Sequence, residues 1–349
     1  MTRIVRLPLK SPLVAAWLFV AAFLVLALVC VGGATRLTES GLSITEWKPI
    51  AGVIPPASDQ AWNAEFNNYK KIPQFSQVNP HMELAEFKGI YWWEWTHRLL
   101  ARLLGAVYLL GFIALLVMRE IPGRLIWRCG ALIGLIALQG AVGWWMVSSG
   151  LAGRVEVAPE RLMTHLSLAL FLMCATIWTG LEALEGEKRG RGASDGWRWA
   201  TGFLLTLVFV QCMLGALVAG NRAGLVYNDW PLMNGHLFPP VEWARGIGYS
   251  FLHDQGLVQF MHRMNAYLLL IVATAYALVA ARKANDDNLK TLAAVLATGV
   301  WIQAALGITT LITVVALGFA LAHQFVAVCL LAMAVALTWM VARADRVFR

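Results

Sequence analysis

The sequence predicts an all-α integral membrane protein with eight transmembrane helices, arranged as two tandem, parallel-repeat four-helix bundles with both termini cytoplasmic. Three observations predict it. Hydrophobic residues make up 59% of the 349 and charged residues only 14%, against about 45–50% and about 25% in soluble domains. Uncharged stretches long enough to cross a bilayer recur along the chain, and several short motifs occur once in each half. A water-soluble fold would have too little polar surface to cover itself. The composition therefore excludes a soluble enzyme, a disordered chain and a nucleic-acid binder whose footprint is the +8 net charge.

About 20 apolar residues cross the hydrocarbon core. Residues 11–35, 129–153 and 199–221 each exceed that length without a charge. Residues 103–118 extend backward through Arg102, Arg98 and His97, and residues 264–281 through Arg263 and His262. Residues 162–180 carry only His165. Residues 291–342 lack Asp, Glu, Lys and Arg and are too long for one crossing, which predicts a tight helical hairpin.

The bias of Arg and Lys orients the spans. Arg3, Arg6 and Lys10, then Arg119, Arg124 and Arg128, then Lys188, Arg189, Arg191 and Arg198 fall in short segments assigned to the cytoplasmic side. Arg282, Lys283 and Lys290, then Arg343, Arg346 and Arg349, complete that set. A basic stub followed by a full span, without a small-residue cleavage site, reads as an uncleaved first helix. It lacks the Arg/Ser-rich character of a transit peptide, which points to a bacterial inner membrane. Trp92, Trp93, Trp95, Trp144 and Trp145 lie near expected outer helix ends, as an aromatic belt would place them. The five cysteines fall in or beside spans, and the outer segments 34–94 and 220–258 have none. Free thiols are expected, not a disulfide framework.

The two halves, 1–185 and 186–349, echo one another. Glu94-Trp95-Thr96-His97-Arg98 is answered by Gln259-Phe260-Met261-His262-Arg263, and Gln139-Gly140-Ala141-Val142-Gly143 by Gln303-Ala304-Ala305-Leu306-Gly307. Four crossings per half start both copies on the same side, so the repeats are parallel, related by an axis along the membrane normal.

Of seven histidines, His97, His165, His262 and His323 fall one each on the second, fourth, sixth and eighth spans, expected within the first turns of each helix and at one depth near the outer face. Ionisable groups inside a membrane are costly and point to function. Paired imidazoles on facing helices are how a bundle holds haem iron. Zinc would want closer ligand groups and a polar second shell, and a di-iron carboxylate site would want Glu-x-x-His twice, a motif met only at Glu94–His97. The expected reading is one tetrapyrrole per half, between His97 and His165 and between His262 and His323. Arg98 and Arg263 either pair with haem propionates or snorkel to the interface. Glu94 stands one turn before His97 on the same face, where Gln259 stands before His262. A carboxylate there can serve as general acid or base; the plainer alternative is that it orients a ligand or caps the helix.

Together these motifs, with Gly32-Gly33-Ala34-Thr35-Arg36-Leu37-Thr38 leading to Gly41-Leu42-Ser43, resemble the haem A synthase family over nearly the whole chain. The resemblance implies oxidation of the C8 methyl of haem O to the formyl group of haem A, by two hydroxylations and a dehydration, for cytochrome oxidase. It implies that His97, His165 and Arg98 bind the substrate haem, that His262, His323 and Arg263 hold a haem b (iron) cofactor, and that Glu94 is catalytic. It also implies as partners haem O, membrane lipid, haem O synthase, oxidase assembly factors and an electron acceptor, and no nucleic acid. The absence of a cysteine pair in the outer loops resembles the cysteine-poor branch of proteobacteria and mitochondria. The competing reading is a bis-His b-type electron-transfer cytochrome, or a haem carrier, without chemistry of its own.

Overall fold

The computed structural model describes residues 9–186 and 194–343, and among them no strand occurs. The α-helices are α1 Pro12–Leu37, α2 Asp59–Tyr69, α3 Pro73–Gln77, α4 Leu84–Val117, α5 Ile126–Ser148, α6 Pro159–Glu185, α7 Asp195–Gly220, α8 Ile247–His253, α9 Gln255–Lys283, α10 Asp287–Ile312 and α11 Leu317–Arg343. All except α2, α3 and α8 are long and apolar enough to cross a membrane, which gives the eight expected spans. Their starts follow local chemistry. Ser11 caps α1 through the Val14 N–H with Pro12 behind it, and Asp254 and Asp286 cap α9 and α10.

The long helices form two rings of four. In one, α1 packs on α4 and α6, and α5 packs on the same two; in the other, α7 packs on α9 and α11, and α10 packs on the same two. The rings meet through α1 and α6 on one side and α7 and α11 on the other. Leu18, Leu132, Leu170, Leu204 and Leu331 belong to the buried core. Leu110 and Ile113 on α4, Phe203 on α7, Ile271 on α9 and Trp301 on α10 are exposed, as suits a surface bathed in lipid.

Helix α4 departs from the sequence expectation. It runs 34 residues from Leu84, roughly 50 Å at 1.5 Å per residue, well beyond a hydrocarbon core about 30 Å thick. A capping box between Glu83 and Glu86 starts the extra turns, and Phe87 and Tyr91 pack them against Trp62, Phe66 and Tyr69 of α2. His97 therefore lies thirteen residues into its helix, not in its first turns, while His165, His262 and His323 come six or seven residues after their helix starts. The tryptophans also do more than face an interface: Trp92 packs edge-on against Trp62 and Trp95, and Trp144 stacks on Trp47 with ring centroids 6.0 Å apart.

The expected hairpin is formed by α10 and α11, joined by residues 313–316. Val314 and Val315 close it at φ of 54° and 59°, an uncommon conformation for β-branched side chains. All five cysteines are free. Arg3, Arg6, Lys188, Arg189, Arg191, Arg346 and Arg349 lie outside the described residues. Among those described, Arg124, Arg128 and Arg343 converge on Glu182, and Arg124 also donates to the Leu9 carbonyl. Three of the basic segments thus gather at one end of the bundle.

Candidate functional site

Each of the four helix histidines seats directly on the backbone of the preceding long helix. A Cβ placed on Gly32, Gly143, Gly215 or Gly307 would come within 3.0, 2.8, 3.3 or 2.8 Å of Cε1 of His97, His165, His262 or His323 respectively. Glycine lets the imidazole approach where any larger residue would push it away. All four rings are half-buried, and His97 Nδ1 and His323 Nδ1 are buried atoms without a hydrogen-bond partner.

The structure brings the histidines together in two pairs. His262 and His323 have ring centroids 6.4 Å apart at an interplanar angle of 72°. That leaves room for one metal bonded to both nitrogens at about 2 Å. His97 and His165 are close enough to interact electrostatically. Imidazoles on apolar helices, with glycine seats beneath them and a buried nitrogen without a partner at His97 and at His323, fit the axial ligands of a porphyrin iron.

Three glutamines, each four residues before one of these glycines, were not singled out as site residues by the sequence. Gln139 Nε2 lies 3.2 Å from His165 Nδ1 and donates to the His165 carbonyl at 2.9 Å. Gln211 Nε2 lies 3.1 Å from His262 Nδ1 and donates to the His262 carbonyl at 3.1 Å. Gln303 Nε2 lies 3.4 Å from His323 Nε2 and donates to the His323 carbonyl at 2.9 Å. The recurring Gln-x-x-x-Gly spacing was the available signal, since it puts both residues on one helix face.

Glu94 is 3% exposed and fully engaged. Arg98 binds its Oε1 through Nε at 3.0 Å and Nη2 at 2.6 Å. Ser43 Oγ and the Ile44 N–H, both from the connection after α1, donate to its Oε2 at 2.8 Å. Arg98 continues to the carbonyls of Ile44 and Glu46 at 2.7 and 2.9 Å. Ser43 is a further site residue that the spacing could not reveal, because the connection must fold back 51 residues to reach Glu94.

Around His262 the same geometry carries the opposite polarity. Gln259 Nε2 donates to the carbonyls of Ala223 and Tyr227 at 3.0 and 3.1 Å, and its Oε1 accepts from Arg263 at 3.2 Å. Arg263 donates in turn to the carbonyls of Tyr227, Asp229, Pro231 and Leu232. Both arginines thus tie a connection to the helix that carries the neighbouring histidine.

An ionic network ties the two rings together beside these connections. Arg36 at the end of α1 pairs with Glu156 at 3.3 Å and donates to the Ala219 carbonyl at the end of α7 at 2.5 Å. Arg222 pairs with Glu39 at 2.5 Å and also with Glu156.

A family model described as cytochrome oxidase assembly protein matches residues 15–335. The chain is similar to the haem A synthase of Caulobacter sp. strain K31, 55% identical over 345 residues that cover 98% of this chain and 100% of that one. It is 54% identical to the haem A synthase of Caulobacter vibrioides, with the same coverage. It is 45% identical to that of Maricaulis maris, covering 96% of this chain and 98% of the relative.

Proposed function

The chain belongs to the cytochrome oxidase assembly protein family, and on that premise we propose that it acts as a haem A synthase. The reaction is an oxidation of haem O to haem A. Two successive hydroxylations of the C8 methyl, each removing two electrons, give a geminal diol, which loses water to leave the formyl group.

The observation that carries the assignment of roles is that, among the described residues, only the His97–His165 pair has a buried carboxylate one helical turn before a member histidine. Glu94 lies one turn before His97, whereas Gln259 lies one turn before His262. His97 and His165 would bind the substrate haem, and Glu94 would hold or pass protons at its carboxylate oxygens as the methyl is oxidised. Arg98 keeps Glu94 aligned and secures the connection over the site, which excludes water. Arg98 uses four of its five N–H donors in these bonds, so a propionate contact would fall to the remaining Nη1 hydrogen. His262 and His323 would hold a haem b, with Arg263 and Gln259 closing the connection above it. When bound, haem b supplies one-electron transfer.

The two rings read as a parallel tandem repeat, 1–185 and 186–349. The recurrence of the same packing order and the same glycine–histidine seats supports that reading. The chain would lie in a bacterial inner membrane, the basic end that meets at Glu182 toward the cytoplasm and the haem pairs toward the periplasm. Its partners would be haem O, lipid, haem O synthase, oxidase assembly factors and an electron acceptor.

The test is the haem extracted from purified protein and analysed by mass. Haem b together with haem A or hydroxylated haem O in the native protein, and haem b with unreacted haem O in Glu94→Gln, is the expected result. Haem b alone in both, despite a supply of haem O, would favour an electron-transfer cytochrome and remove the catalytic role from Glu94.

A further inference from the structure

Three of the four histidines are latched to the preceding helix by a glutamine, and the fourth is not. The latches differ in strength. Gln211 donates to the His262 carbonyl while its own Oε1 accepts from Asn265 Nδ2 at 2.7 Å, so its amide is fixed at both ends. Gln139 and Gln303 hold His165 and His323 by the amide nitrogen alone, their Oε1 atoms buried without partners. On α1 the position four residues before the seating Gly32 is Leu28. Its apolar side chain packs into the core, its main-chain carbonyl is the polar group facing His97, and His97 Nδ1 lacks a hydrogen-bond partner.

A side-chain amide that donates to the histidine's carbonyl and lies against its ring fixes the helix turn that carries the imidazole and narrows the orientations the ring can take. Without it, the ring keeps its packing and the neighbouring Leu28 main-chain carbonyl but has no side-chain amide to hold it. From this asymmetry we infer that Gln139, Gln211 and Gln303 are positioning residues for the iron-ligating histidines, and that Leu28 leaves His97 as the one imidazole able to swing aside. The inference rests on the haem reading above and deepens it. A site that takes up a substrate haem and releases a product haem needs a ligand that lets go, whereas a resident haem needs two that do not. His262, with the doubly fixed latch, lies in the pair assigned to the resident haem.

Carbon monoxide reports an iron whose axial imidazole can be displaced, and it does so without turnover. Purified protein loaded with haem O would be reduced, exposed to carbon monoxide and followed by absorbance, with haem content quantified separately. The native protein is expected to bind carbon monoxide at the substrate haem and not at haem b. Leu28→Gln should lower that reactivity, and the rate at which the substrate haem is lost to an external haem acceptor, by about ten-fold or more. Leu28→Met, which fills the space without a donor, should behave as native. Gln211→Leu should render haem b reactive toward carbon monoxide while that haem remains bound; this arm decides if Leu28→Gln does not accumulate. Equal reactivity of both haems in the native protein, or no change in either the Leu28→Gln or the Gln211→Leu protein, would overturn the inference and leave the haem reading intact. A protein that takes up no haem O would overturn both.

Discussion

Glu94 and Gln259 meet their connections with opposite hydrogen-bond polarity: the Glu94 carboxylate accepts from Ser43 Oγ and the Ile44 N–H, whereas the Gln259 amide donates to the Ala223 and Tyr227 carbonyls. The difference is imposed by the connections, one presenting donors and the other acceptors. A carboxylate is acceptor-only, and an amide has both kinds of group. Gln259→Glu would set carboxylate oxygens against two buried carbonyls. The expected cost is about 1–3 kcal/mol, read as a lower melting temperature in detergent with weakened retention of the second haem. Unchanged melting would show that the connection around Ala223 and Tyr227 adapts freely.

Replacing the glycine seats should separate the two pairs. Gly307→Ala brings a Cβ within 2.8 Å of His323 Cε1, and Gly143→Ala does the same to His165. Alanine favours the helix by about 1 kcal/mol over glycine, so the helices should persist while the imidazoles are displaced. Haem analysis should find Gly307→Ala depleted of haem b and Gly143→Ala depleted of substrate haem. Gly130→Ala, where a Cβ meets nothing within 4 Å, is the control expected to retain both.

The Arg36–Glu156–Arg222–Glu39 network should bind the two rings electrostatically. Glu156→Gln removes the anion that both arginines share. Because the network is partly exposed, a loss of about 1 kcal/mol is expected, smaller at high ionic strength as salt screens the pairing. Melting curves of native and variant protein at low and high salt measure it, and a difference independent of salt would count against an electrostatic link.

The hairpin between α10 and α11 stores backbone strain at Val314, which is 58% exposed. The left-handed conformation costs about 1–2 kcal/mol for most residues, and asparagine adopts it more readily. Val314→Asn should therefore stabilise the protein by about 1 kcal/mol without altering haem content. A lowered melting temperature would mean that the valine side chain contributes packing or lipid contact that outweighs the strain.

Much of the architecture was legible because lipid imposes it: apolar length marks each span, and the eight long helices coincide with the uncharged stretches. The four histidines were legible as isolated polar groups in apolar helices. The start of α4 was not, because the turns before His97 carry Glu83, Glu86 and Lys88, which read as loop until α2 folds against Phe87 and Tyr91. Nor were Ser43, Ile44 and the glutamine latches legible as site residues. Their partners are distant in sequence: the repeated Gln-x-x-x-Gly spacing marks the glutamines as a recurrence but not as partners of the histidines, and a single Ser in a loop carries no periodic signal.

By itself the sequence determined that the chain is helical and built for a membrane, and which imidazoles and which carboxylate are available for chemistry, since hydrophobicity and residue type are local properties. Only the tertiary structure decided that Glu94 is held by Arg98, Ser43 and Ile44, and that a glutamine latches three of the four histidines but not His97. Those are relations across helices and connections. They exist only once packing has chosen which side chains face each other.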